Sequence, residues 1–292
     1  YSAEGQLLDG SHPMRFGEGV LAEIYSTQDL ASKLHEADRA LALALDLQDE
    51  AAIAESRITQ AYLLLAGGLQ ALSHAPLTGS DLTAGQLARY RCAFEDVDRA
   101  ARTLEVEHYR WTDAVAGGEL PGRLLDTIAI AYRAAAGAAD VISRLGLVDP
   151  TPEYRPRKIG TWSTDDFGGD EVCSIVLDLA GIWAGPGPYV VTFEYTEGTY
   201  GVDIERLTLD ASSADGQEHV LDEVTVNASV NRHERWREVR LTFPDIGSAD
   251  RPMMRAGLKF PDRAPRDLRV SNGVVTARRG LWIDGQQVRD KG

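Results

Sequence analysis

Cysteine is almost missing from this chain of 292 residues: there are two, Cys92 and Cys173. They fall in segments that read as a helix and a strand of different domains, which excludes a disulfide framework or a cysteine metal knuckle and leaves two small apolar residues. Excess positive charge is also lacking. The net charge is −15, about −10 over the first 150 residues and −5 over the rest, so no basic field exists to attract nucleic acid or an anionic membrane surface. Lysine is scarce, four against 26 arginines, a balance to which codon bias contributes as readily as chemistry. No apolar run reaches the ~18 residues of a transmembrane span. Internal repeats and low-complexity stretches are likewise missing. The chain opens at Tyr1 with neither methionine nor a charged leader, which reads as the result of something upstream having been removed, a catalytic domain among the candidates.

What is present changes rhythm once. In DLTAGQLARYRCAFEDVDRAARTLEVE the apolar residues Leu87, Tyr90, Phe94, Val97, Ala101 and Leu104 recur at spacings of three and four, the stripe of an amphipathic helix, with Asp81 expected as its N-cap. Leu30, Leu34, Ala37, Leu41 and Ala44 draw the same stripe after Ser26 and Thr27. Ile53, Ile58, Ala61, Leu65, Leu69 and Leu72 draw a third, and a fourth helix is expected from Pro121 to about Gly146. Four such helices predict an antiparallel bundle over residues 1–148. Three prolines among charges then predict a linker over 149–160. From 161 to 292 the period becomes two. Tyr189, Val191, Phe193 and Tyr195 alternate with polar or outward residues, as do Val239, Leu241 and Phe243, and Ala256, Leu258 and Phe260, which predicts an antiparallel β-sandwich. Parity switches at Glu205 and Arg206, where a bulge is expected.

Signatures of chemistry are few. The six histidines form no HExxH pair, and no nucleophile elbow, Walker loop or dinucleotide fingerprint occurs. The bundle shows no Glu-x-x-His on two helices, the pattern that builds a metal site in a bundle core. The acids of TDDFGGDE, Asp165, Asp166 and Asp170, are the candidates for a structural calcium, although they lack the fixed spacing of an EF-hand loop. No other cofactor is implied. A sugar presents a flat C–H face and a rim of hydroxyls, so aromatic rings beside planar polar groups are its natural receptors. Trp162, Trp183, Tyr200, Arg235 and Trp236 are therefore the candidate carbohydrate-binding residues, set against a competing role of aromatics as sandwich core. No catalytic residue is assigned.

The stretch GPYVVTFEYTEG resembles a pattern in the C-terminal sandwiches of large bacterial glycoside hydrolases of the hexosaminidase and α-glucuronidase-like group, matching at Gly187, Tyr189, Val191, Phe193, Tyr195, Thr196 and Gly198. The segment VSNGVVTAR, with Ser271, Asn272 and Gly273, resembles that group's closing strand, and KLHEADRALALA with AESRITQAYLLL resembles its preceding helices. The resemblance implies a galactose-binding-like jelly roll after a helical bundle, in an extracellular or periplasmic protein. It implies an accessory region that supports a catalytic domain, of the same or an associated polypeptide, and binds carbohydrate. The catalytic barrel is not in this chain, so none of the group's catalytic residues has a position here, and the H-x-G-x-T-G loop is replaced by DEVTVNASVNRHERW. The alternative is a scaffold or adhesion module whose bundle binds a protein partner.

Overall fold

The computed structural model describes residues 27–115, 122–213, 216–246, 250–283 and 286–287. Ser26 and Pro121, expected at two helix starts, lie outside them. The chain divides into two compact units between Arg155 and Pro156.

The first unit holds α1 (Thr27–Leu47), α2 (Glu50–Ser73), α3 (Ala84–Val115) and α4 (Gly122–Arg144). The α3 stripe is buried as its spacing requires: Phe94, Val97, Ala101 and Leu104 are core residues, and the same face runs on to His108. Its cap differs from expectation. The helix starts at Ala84, and Thr83 forms a capping box with Gln86, whose Oε1 accepts from the Thr83 N–H at 2.9 Å while Thr83 Oγ1 accepts from the Gln86 N–H at 3.3 Å. Asp81 falls two residues too early to reach those amides. Asp49 caps α2 by accepting from the Ala52 N–H at 3.0 Å. The end of α4 is a Schellman turn: Gly146 adopts φ +78°, and the Leu147 N–H donates to the Ile142 carbonyl at 2.9 Å. Where α2 crosses α3 a glycine is needed, because a Cβ on Gly68 would lie 2.6 Å from both the Ala93 carbonyl oxygen and a Val97 methyl. Helix α1 packs chiefly on α2 through one narrow stripe, leaving Leu43 and Leu47 exposed.

Residues 149–155, the first part of the expected linker, are held to the helical unit by side-chain contacts. The buried Arg155 places Nη2 2.5 Å from Asp98 Oδ1 on α3 and Nε 3.0 Å from Asp149 Oδ2, and Nη2 also donates to Thr151 Oγ1 at 3.3 Å. Its guanidinium lies over the Phe94 ring, 5.1 Å from the centroid, which gives Nη1 a π face where it has no hydrogen-bond acceptor. Arg102 holds the other Asp98 oxygen at 2.7 Å. Asp149 and Arg155 of this segment are thus paired with each other and with the helical unit. The expected linker ends inside a strand, since β1 begins at Arg157.

In the second unit, β1 (Arg157–Trp162), β2 (Val172–Asp178), β3 (Gly187–Gly198), β4 (Val202–Ser212), β5 (Glu218–Val230), β6 (Trp236–Phe243), β7 (Arg251–Lys259) and β8 (Ser271–Arg279) form two antiparallel four-stranded sheets. Their orders are β1-β8-β3-β6 and β2-β7-β4-β5, the eight-stranded jelly roll of two interlocked Greek keys. The alternating residues face inward into one core, among them Tyr189, Val191, Phe193, Val239, Leu241, Phe243, Ala256 and Leu258. The expected bulge is there. Pairing of β4 with both β5 and β7 shifts between Ile204 and Arg206, and Asn227, opposite it on β5, takes φ +48°. A short pair, β9 (Trp282–Ile283) and β10 (Gln286–Gln287), follows. No helix among the described residues is long and apolar enough to cross a membrane.

Candidate functional site

Strand order sets which loops meet. The connections β1–β2, β3–β4, β5–β6 and β7–β8 share one end of the sandwich, and β2–β3, β4–β5 and β6–β7 share the other. The register fixes this: the start of β8 lies beside the ends of β1 and β3, with Trp162 opposite Gly273 and Gly198 opposite Ser271, while the start of β6 pairs Trp236 with Glu194. Gly201 in the β3–β4 turn presses against the β5–β6 turn so closely that a Cβ there would overlap the Val230 carbonyl and Asn231.

This topology separates the five candidate residues. Tyr200, Arg235 and Trp236 come to the first end. Trp183 lies at the opposite end, stacked on Tyr189 at 5.6 Å with an interplanar angle of 2° and edge-on to Phe243 at 5.2 Å. Trp162 belongs to neither surface: it is 1% exposed, and its indole N–H donates to Ser271 Oγ at 3.1 Å. Gly273 supplies the room for its ring, because any side chain there would overlap the indole. Trp162 is thus a core residue, and Trp183 is partly buried against the core at the end away from Tyr200. Trp236 is half-buried with Arg235 over its ring, 5.8 Å from the centroid, so one indole face is already covered. Tyr200 is half-buried; its N–H donates to the Val270 carbonyl at 3.1 Å, and its ring packs on the edge of the core.

Polar groups from separate loops join them. Asn272, at the start of β8, accepts from the Thr164 N–H at 3.3 Å and donates to Glu197 Oε1 at 2.9 Å, tying the β1–β2 loop to the end of β3. Asn231 folds the β5–β6 turn by accepting from the N–H groups of His233 and Glu234 at 2.8 and 3.0 Å, which fixes the bases of Arg232 and Arg235. Arg235 Nε donates to the Tyr195 carbonyl at 3.5 Å. The hydroxyl of Tyr195 titrates above the usual tyrosine range because it is buried, and the charges of Arg232 and Arg235 oppose the rise while Glu197 adds to it. Glu197, Arg232 and Asn272 are members that periodicity did not single out. Asn272 had a signal in the S-N-G triplet, whereas Arg232 had only its place in an arginine-rich turn.

The three acids read as calcium ligands are not brought together. Asp166 closes a capping box, accepting from the Ser163 N–H at 2.6 Å, and among the described residues no group of three or more His, Cys, Asp or Glu side chains could hold a metal ion.

The bundle interior contains one Glu-x-x-His pair, Glu105 and His108 on α3, both fully buried. Tyr132 on α4 donates to Glu105 Oε2 at 2.5 Å, and His108 Nδ1 donates to the Leu104 carbonyl at 2.6 Å. Burial holds the His108 imidazole below its ordinary pKa, so it is neutral, and pushes the Tyr62 hydroxyl, whose ring meets His108 edge-on at 6.3 Å, up to about 12. Neighbouring Glu107 turns away to Arg57 and Arg110, at 3.2 and 3.1 Å. These hydrogen bonds join α3 to α4 and hold the histidine as a neutral structural group.

No family model matches the chain, and no curated protein matches it. It is similar to the structure of TmCBM61 in complex with β-1,4-galactotriose, at 15% identity over 46% of this chain and 97% of that one, with a TM-score of 0.20. It is also similar to BtGH115A, a family GH115 4-O-methyl-α-glucuronidase with specificity for decorated arabinogalactans, at 10% identity over 77% of this chain, with a TM-score of 0.18. The chain spans 40% of the glucuronidase's length. Superpositions this loose carry no argument about function.

Proposed function

We propose that this chain is an accessory region of an extracellular or periplasmic carbohydrate-active protein, in which the jelly roll offers its first loop end to a glycan and catalysis belongs to another domain of the same or an associated polypeptide. One observation supports this above the rest. The end of β3 with its turn, the β5–β6 turn and the start of β8 bring Glu197 and Tyr200, Arg232 and Arg235, and Asn272 to one end of the sandwich, an aromatic edge beside planar donors and acceptors. Hydroxyl groups are matched by such a set, and a half-exposed ring meets the apolar face of a sugar. The surface is open, so little binding free energy survives polar desolvation, and the affinity expected is on the order of 0.1–1 mM.

The test is titration of the full chain with a panel of plant and bacterial polysaccharides, comparing Tyr200→Ala with Trp183→Ala. Tyr200→Ala weakens binding by about fivefold, the loss expected of one partly exposed aromatic contact, and Trp183→Ala, at the far end, leaves it unchanged. Binding that survives Tyr200→Ala but not Trp183→Ala moves the site to the other end. Failure of every polysaccharide to bind leaves the region a support for its catalytic partner.

A further inference from the structure

The β5–β6 turn and the strand start after it, NRHERWR at 231–237, put three arginines and a histidine within seven residues of a chain whose net charge is −15. Arg237 is neutralised by Glu234 at 3.4 Å, but Arg232 and Arg235 make no ion pair among the described residues. The nearby acids are engaged elsewhere, Glu197 by the Asn272 amide at 2.9 Å and Glu234 by Arg237. Both arginines are held from behind. Arg232 Nε donates to His233 Nε2 at 3.0 Å, which requires that nitrogen to be unprotonated, and Arg235 is fixed by the Tyr195 carbonyl and the Trp236 ring. Each uses its Nε in a hydrogen bond, and among the described residues its terminal nitrogens make none. Both arginines stand on the one turn that Asn231 folds, against which Gly201, next to Tyr200, is pressed.

A neutral sugar needs no such pair. Two guanidinium groups on one turn match an oxyanion, which arginine binds with two parallel hydrogen bonds. We propose that the loop end selects an anionic glycan, with Arg232 and Arg235 taking its carboxylate or sulfate group and Tyr200 meeting the ring. This rests on the carbohydrate reading above and narrows it. Because the rest of the protein repels polyanions at long range, recognition must come from these short contacts and falls as salt screens them.

Affinity electrophoresis of the full chain through polygalacturonate, dextran sulfate and neutral β-galactan decides it, with Arg232→Gln, Arg235→Gln and, as a control for net charge at the opposite end, Arg157→Gln. Retardation is expected in at least one polyanion, about tenfold tighter than in galactan, and about tenfold weaker in Arg232→Gln, the loss typical of one charge-assisted pair. Arg157→Gln matches the parent. Which polyanion retards the protein assigns carboxylate or sulfate. Galactan binding as tight as either polyanion, unchanged by both loop-end variants, overturns the anionic preference while the carbohydrate reading stands. Equal weakening by all three variants reduces the effect to net charge and overturns the site. No retardation in any gel removes the preference and the carbohydrate reading together.

Discussion

Arg155→Met tests the reasoning about charge in the helical unit most directly. Methionine fills much of the space of the arginine stem but leaves two carboxylates without their shared cation. Asp98 is the more exposed to that loss, at 4% accessibility, keeping Arg102 at 2.7 Å and the Thr151 hydroxyl at 3.4 Å. Asp149 keeps the Thr151 N–H at 3.0 Å. Removing one member of a buried pair costs roughly 3–5 kcal/mol, and because both acids retain a partner the low end applies, about 3 kcal/mol. In a unit of this size that lowers the melting temperature by roughly 10 °C. Urea unfolding followed by the far-ultraviolet helical signal measures it. The double variant Arg155→Met, Asp98→Asn separates mechanism from mere loss of packing: it removes the stranded charge and regains about 1 kcal/mol over the single variant. A single-variant loss below about 1 kcal/mol, or a double variant in which the two losses simply add, would refute the claim that Arg155 fastens the chain to α3 through desolvated ion pairs.

Further expectations are open to simple measurement. Gly273→Ala drives a methyl into the Trp162 indole and destabilises the sandwich by about 2–3 kcal/mol, read from tryptophan fluorescence in urea; a neutral outcome contradicts the packing assigned to Trp162. Burial lowers the His108 pKa, so the unfolded chain takes up a proton there first. The helical unit therefore loses stability as pH falls below about 6.5, the unfolded value, and His108→Leu flattens that part of the profile. Burial pushes the Cys173 thiol up to about 12, so mild alkylation of the folded protein modifies the exposed Cys92 alone, and mass spectrometry locates the adduct.

Much of the architecture was legible because it is carried by side-chain period. The stripe through Phe94, Val97 and Leu104 and the alternation through Tyr189, Val191 and Phe193 are consequences of burying one face, and both faces are where the spacing puts them. The parity switch at Glu205 was equally readable, since only an extra residue in the strand reconciles Ile204 and Leu207 on one side. Less was legible where the deciding partner is distant in sequence. Arg155 reads as part of a linker until Asp98 arrives from 57 residues away, and Trp162 reads as a candidate sugar-binding ring until Gly273 and Ser271 close over it. Residue type alone groups the candidate aromatics, whereas sandwich topology assigns Trp183 to one end and Tyr200 to the other. The Glu105–His108 pair was passed over because one helix alone supplies it, and its partner is a tyrosine on α4.

Since the β1–β2, β3–β4, β5–β6 and β7–β8 connections converge while the strands between them share a single core, the molecule keeps its variable chemistry and its invariant scaffold in different places. A turn such as 231–235 can be exchanged for another of the same span with the hydrophobic interior undisturbed, provided Gly201 stays small beneath it. The fold is in that sense a handle with a replaceable tip, and libraries built on those four turns offer a route to binders for saccharides the parent protein does not take.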